Sequence, residues 1–211
     1  MNKKGILVVL SGFSGAGKGT IMKELIQQYP EHYALSVSAT TRAPRFNEVH
    51  GREYYFISKE EFEAMIEQEA LIEHAQYVGN YYGTPCDYVN QQLNLGKDVI
   101  LEIETQGGHK VKKRFPDTLL LFVTPPSARE LYNRLENRNT ETEEVIRGRL
   151  AQAIVECDSM IDYDFLIIND ELKEAVNQVH EIIQNEHYRI SRNNTIINAM
   201  KTELELFSKG E

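Results

Sequence analysis

The sequence predicts an α/β fold in which a parallel sheet carries helices on both faces. Three observations predict it. Short apolar, β-branched runs alternate along the 211 residues with segments of helical periodicity. A glycine-rich stretch joins the first such run directly to the first helical one. The rhythm breaks twice, at about 38–90 and 134–150, as expected of pieces inserted in a regular core.

The first run, Gly5 to Ser11, is bounded by glycine and reads as a strand buried on both sides. After the glycines, Thr20 to Tyr29 places Ile21, Met22, Leu25 and Ile26 on one helical face, and Pro30 ends it. Further strands are predicted at 98–103, 118–123 and 164–168, each followed by a helix at about 105–114, 127–138 and 171–187. The stretch 38–90 is rich in tyrosine and has short strand-like pieces around one helix. That helix opens with a capping box, Ser58 to Glu61. In the charged insertion 134–150, Thr140 to Glu143 is expected to cap the next helix. Residues 188–211 keep an apolar spacing (Ile190, Ile196, Ile197, Met200, Leu204) beyond the α/β pattern. They could pack on the core, pair with a second subunit, or fray.

Composition narrows the function. Apolar residues make up 41% of the chain, enough for a core, and no apolar run approaches the eighteen residues of a membrane span. The five-residue run Ile6 to Leu10 is too short for a signal peptide, which predicts a cytoplasmic location. Cys86 and Cys157 lie far apart and read as reduced thiols. A net charge of −9 argues against a general nucleic-acid binder. An acidic protein can still hold compact polyanions where its arginines are gathered.

Gly12, Phe13, Ser14, Gly15, Ala16, Gly17, Lys18, Gly19 and Thr20 form the strongest local signal. They lie between a strand and a helix, the setting a phosphate-binding P-loop needs. Glycines let backbone N–H groups point inward at phosphate oxygens, and Lys18 adds a mobile positive charge. Gly19 stands where the usual pattern has Ser or Thr, so the hydroxyl facing Mg²⁺ comes from Thr20 or is replaced by water. Downstream, Arg42 and Arg45 flank Pro44, and two guanidiniums at this spacing can fork onto one phosphate.

The motifs 36–45 (SVSATTRAPR), 51–56 (GREYYF), 71–77 (LIEHAQY), 79–84 (GNYYGT), 101–107 (LEIETQG) and 134–142 (RLENRNTET) follow in order, then 147–150 (RGRL) and 167–170 (IIND). With these the chain resembles guanylate kinase over about residues 4–184. The resemblance implies a P-loop NTPase core (about 4–37, 91–133 and 151–184), a GMP-binding lobe (38–90), a small helical lid (134–150) and a C-terminal extension (185–211). It implies transfer of the γ-phosphoryl group of ATP to GMP and dGMP, with Mg²⁺ accompanying ATP.

Residue by residue, the resemblance gives the GMP phosphate to Arg42, Arg45, Tyr54 and Tyr82. It gives guanine N1–H and N2–H₂ to Glu73, and O6 to Ser38 and Thr84. Guanine presents two adjacent donors that one carboxylate can accept, and adenine does not. Glu102 and Glu104 stand where the family often has Asp, so their division between Mg²⁺ waters and acceptor stays open. Arg134, Arg138 and Arg149 would close over the ATP phosphates, and Asn169 with Asp170 would lie near adenine. Lys18, Arg42, Arg138 and Arg149 are the catalytic candidates; no general base is needed, because the acceptor is an ionised phosphate oxygen. Two other readings remain: a kinase for AMP or a pyrimidine monophosphate, and a non-catalytic peptide-docking module, which would be expected to degrade the P-loop.

Overall fold

The computed structural model describes residues 4–77, 79–137 and 142–209. In chain order, β1 (Leu7–Gly12) leads into α1 (Lys18–Gln28) and the short strand β2 (Tyr33–Leu35). Then come β3 (Ala39–Thr40), β4 (Tyr55–Phe56), α2 (Lys59–Glu67), β5 (Leu71–Tyr77) and β6 (Asn80–Pro85). The chain continues through α3 (Cys86–Asn94), β7 (Asp98–Glu102), α4 (Thr105–Arg114), β8 (Leu119–Thr124) and α5 (Ala128–Glu136). It ends with α6 (Glu143–Ser159), β9 (Phe165–Ile168), α7 (Leu172–Glu186) and α8 (Asn194–Ser208).

Five strands make the main sheet, in the order β2-β7-β1-β8-β9 and parallel throughout. β1 is central because both its faces are apolar: alternation sends Ile6, Val8 and Leu10 into one core and Leu7 and Val9 into the other. The first core is closed by Ile21 and Leu25 of α1 and by Val176, Val179 and Ile183 of α7. The second is closed by Val89 and Leu93 of α3 and Val111 of α4. This is the three-layer arrangement predicted, and it turns the carboxyl ends of β1 and β7 toward the same edge, where ligands of open α/β sheets bind. Strand β2, three residues at the sheet's border, was not anticipated. Neither was α3, which runs past residue 90 and packs its buried face on β7.

The insertion builds a second sheet, order β4-β3-β6-β5, around its own small core of Ala39, Phe62 and Leu71. Its helix starts as expected: Ser58 accepts from the Glu61 N–H while Glu61 accepts from the Ser58 N–H. The second expected cap is corrected. Thr142 Oγ1 accepts from the Val145 N–H at the start of α6, and Thr140 lies outside the described residues.

The tail is anchored only as far as its first turn, where His187 Nε2 lies 2.9 Å from Asp98 and Arg192 pairs with Glu186 at 3.0 Å. Beyond it, α8 is helical but buries none of its residues, so Ile196, Ile197, Met200 and Leu204 do not pack on the core. No helix among the described residues is long and apolar enough to cross a membrane.

The two kinds of element should respond differently to truncation. Leu121→Ala, in a fully buried position of β8, should lower unfolding free energy by about 2–5 kcal/mol. Ser58→Ala should remove only the cap, about 1 kcal/mol. Chemical denaturation of the purified variants checks both.

Candidate active site

The loop between β1 and α1 is shaped by contacts only glycine permits. Gly12 has φ 147°, and a Cβ there would lie 2.1 Å from the Val123 carbonyl oxygen. Gly17 caps α1 in the left-handed region at φ 92°, and a Cβ would lie 2.4 Å from Asn169 Nδ2. Phe13 and Ala16 are buried, Phe13 edge-on to Phe122 with centroids 5.1 Å apart. Their side chains therefore anchor the loop, and the Ala16 N–H closes its turn on the Phe13 carbonyl at 3.0 Å. Lys18 folds back over it, donating to the Gly12 carbonyl at 2.7 Å and the Phe13 carbonyl at 3.1 Å.

Asn169 has a part the sequence did not disclose. Its buried amide donates to the Ala16 carbonyl at 2.8 Å, holding the loop from beneath. Its own carbonyl accepts from Arg134 at 2.9 Å, and Arg134 also pairs with Glu130 at 2.7 Å. Arg149, from α6, donates to Ser14 Oγ on the loop itself. Arg138 lies outside the described residues. Thus two of the three expected lid arginines are tied to the loop or its support.

Opposite the loop is an open cleft of about 300 Å³. Ser38, Tyr54, Glu73 and Tyr82 line it from the inserted lobe, Glu102 from the end of β7 and Glu104 from the residue that precedes α4. Thr84 joins them through its hydroxyl, which donates to Glu73 at 2.9 Å. All these residues come from the predicted set, and the fold brings them together. Burial pushes the Glu73 carboxyl above the ordinary carboxylate range, while the Thr84 hydroxyl and the Lys110 ammonium pull it back. Glu102 is likewise raised by desolvation and drawn back by Lys18. Its carboxylate reaches within 3.7 Å of where a Gly19 Cβ would stand, so the cleft and the phosphate loop are neighbours.

At the outer end, Arg42 lies over the Tyr54 and Phe56 rings, 5.5 and 5.7 Å from their centroids. Its fork is already filled: NH1 and NH2 donate to the two oxygens of Glu48, each at 2.9 Å. Arg45 donates its backbone N–H to the same carboxylate at 2.6 Å, and its side chain is exposed. These bonds, Arg42 first, hold the Glu48 carboxyl below the ordinary range. The expected convergence of two guanidiniums on one point is therefore seen for Arg42 alone, and on a carboxylate of the chain.

A protein-family model for guanylate kinase matches residues 4–186. The chain belongs to the guanylate kinase family. It is 49% identical over 192 residues to the guanylate kinase of Enterococcus faecalis, covering 91% of this chain and 94% of that one. It is 50% identical over 191 residues to that of Bacillus cereus, covering 90% and 93%. The crystal structure of guanylate kinase from Anaplasma phagocytophilum superposes with a TM-score of 0.70 at 29% identity, over 90% of each chain. Helix α8 lies beyond the residues the guanylate kinase family model matches.

Three site residues escaped the sequence reading. Glu48 reads alone as an ordinary loop glutamate, and only the fold shows it in the fork of Arg42. Gln106 and Lys110 sit four apart on α4, so both reach the cleft from one helix face. That spacing was visible, but not that this face meets the inserted sheet.

Asn169→Ala should loosen the loop without touching the cleft. The variant should show a raised KM for the nucleotide triphosphate, by about tenfold, with the KM for the acceptor within twofold of the parent. Steady-state kinetics with each substrate varied in turn checks this.

Proposed function

We propose that this guanylate kinase family member transfers the γ-phosphoryl group of ATP to GMP, using the predicted residues in their predicted roles. The observation that carries the reading is Glu73, a partly desolvated carboxylate at the wall of a cleft with Thr84 beside it, the cleft adjoining the phosphate loop through Glu102. A desolvated carboxylate at neutral pH is a strong double acceptor, and guanine N1–H and N2–H₂ are adjacent donors. Adenine offers no such donor pair and would leave a half-buried carboxylate short of partners, which costs binding.

The acceptor phosphate would enter between Arg42, Arg45, Tyr54 and Tyr82. To bind there it replaces or shares Glu48, and a dianionic phosphate outcompetes one carboxylate for a bidentate guanidinium. Ser38 and Thr84 would meet guanine O6. The triphosphate would lie along Gly12 to Thr20, with Lys18 leaving the loop carbonyls it now holds for the β- and γ-oxygens. Arg149, already at Ser14, and Arg134, fixed by Asn169, would stabilise charge on the transferred group; Arg138 would join them. Asn169, besides supporting the loop, would lie near adenine.

ATP-using kinases of this family need a divalent metal. No group of three or more His, Cys, Asp or Glu suited to holding a metal exists among the described residues. Mg²⁺ would be brought in by the ATP phosphates and held at the protein by one or two side chains. Thr20 and Glu102 would hold it, Glu104 facing the acceptor, and the ion would neutralise charge on the phosphate oxygens. The inserted lobe (38–90) and the lid (134–150) would close on the substrates and exclude water.

A coupled ADP-release assay with Mg²⁺-ATP, offering GMP, AMP, CMP and UMP separately, tests the reading. Turnover should be confined to GMP among the four. Glu73→Gln should lower kcat/KM for GMP by about 10²-fold or more, and Arg149→Ala should lower kcat by about 10³-fold. Turnover with AMP equal to that with GMP would refute the base assignment, and binding of GMP without turnover would favour a docking module.

Glu73 also predicts a trade between stability and function. Its folded-state pKa is raised, so ionising it opposes folding, and this penalty grows as pH rises through the ordinary carboxylate value of 4.5. Glu73→Gln should therefore melt higher than the parent at pH 8. The difference should shrink as pH falls toward 4, measured by thermal scans across that range.

A further inference from the structure

The cleft that would receive GMP is lined by three carboxylates, Glu73, Glu102 and Glu104. Lys110 is the one ammonium or guanidinium among its described lining residues. Such a wall is a poor host for a nucleotide unless each carboxylate has a partner of its own. Glu102 has Lys18. Glu73, deeper and more desolvated, has a neutral hydroxyl from Thr84 and, across the cleft, Lys110.

Lys110 is placed for this by α4. The helix starts at Thr105, immediately after Glu104, and packs on β5, the strand that carries Glu73. Gln106 and Lys110, one turn apart, present the same helix face to the cleft. Lys110 is exposed, and among the described residues no hydrogen bond or ion pair holds its ammonium elsewhere. The other groups lining the cleft with Glu73 bring no ammonium or guanidinium: they include Tyr54, Tyr82, Glu102 and Glu104, and His74 is the remaining nitrogen base.

We infer that Lys110 is a positioning residue for guanine selection: from α4 it keeps the Glu73 carboxyl ionised and aimed into the cleft. The inference rests on Glu73 being the base reader. Its logic is that of donors and acceptors. An ionised Glu73 offers two acceptors to guanine, whereas a protonated one offers an O–H that opposes N1–H. Burial drives Glu73 toward the protonated form, and Lys110 opposes that drive. Without Lys110, the base reader would be lost at a higher pH than in the parent, and selection of GMP would become acid-sensitive.

The test is kcat/KM for GMP from pH 5 to 9 at saturating Mg²⁺-ATP, for the parent, Lys110→Met, Lys110→Arg and Glu73→Gln. The GMP phosphate titrates within this range, but identically for every variant, so the ratio to the parent isolates the protein. Lys110→Met should lose about tenfold near pH 5.5, through KM rather than kcat, with the deficit fading toward pH 9. Lys110→Arg should restore the parent profile. A Lys110→Met profile that superimposes on the parent, or lies below it by one factor at every pH, would overturn the inference. GMP use that survives Glu73→Gln undiminished would instead overturn the base assignment beneath it.

Discussion

The passage of the chain from β1 into α1 sets the terms for everything at the carboxyl edge of the sheet. Gly12 runs against the Val123 carbonyl of the neighbouring strand, and Gly17 against the Asn169 amide. No side chain fits at either point, so the loop has one way to turn, and its backbone is committed before any ligand arrives. Asn169 then does two things at once, bonding Ala16 above and holding Arg134 through its carbonyl. One residue thus ties the loop's shape to the position of an arginine, its side-chain amide holding Ala16 and its main-chain carbonyl holding Arg134. Because β9 delivers Asn169 and β7 delivers Glu102, the order β7-β1-β8-β9 places support on one side of the loop and the acceptor cleft on the other.

The second theme is how a chain of net charge −9 accommodates two polyanions. It concentrates its cations where phosphates would lie and gives each a provisional partner. Lys18 rests on loop carbonyls, Arg149 on Ser14, and Arg42 on Glu48. These contacts keep the cations ordered and desolvated in part, which lowers the reorganisation needed on binding. They also imply a competition, since a phosphate proposed to bind Arg42 would have to displace Glu48 from its fork or share it. The cleft proposed for the base is lined by three carboxylates, Glu73, Glu102 and Glu104, so selectivity there would depend on which of them is ionised.

Much of this was legible in the sequence, for reasons that can be stated. The core strands β1, β7 and β8 are buried on two faces, so their apolar runs are continuous and easily seen, and β9 carries an equally apolar run although only Ile167 of it is buried. The loop residues announce themselves because a phosphate cradle needs glycine and lysine at fixed spacing. Strand β2 escaped because three residues at a sheet border carry no period, and α3 because its buried face is only Val89 and Leu93 among polar residues. Glu48 and Lys110 escaped for a different reason. Each matters only through a partner distant in its role or in the chain, Arg42 for one and Glu73 for the other, and no local pattern marks such pairs. Asn169 was noticed, but its bond to Ala16 spans 153 residues and became visible only with the fold.

On the function proposed, one cleft reads guanine with Glu73 and holds the phosphate with Arg42. A crystal structure of the chain with GMP tests it most directly. N1 and N2 of guanine should lie within hydrogen-bond distance of the Glu73 carboxylate, and the phosphate should occupy the fork of Arg42 with Glu48 displaced or sharing it. A nucleotide whose base turns away from Glu73, or whose phosphate leaves the Arg42–Glu48 pair intact and untouched, would contradict it.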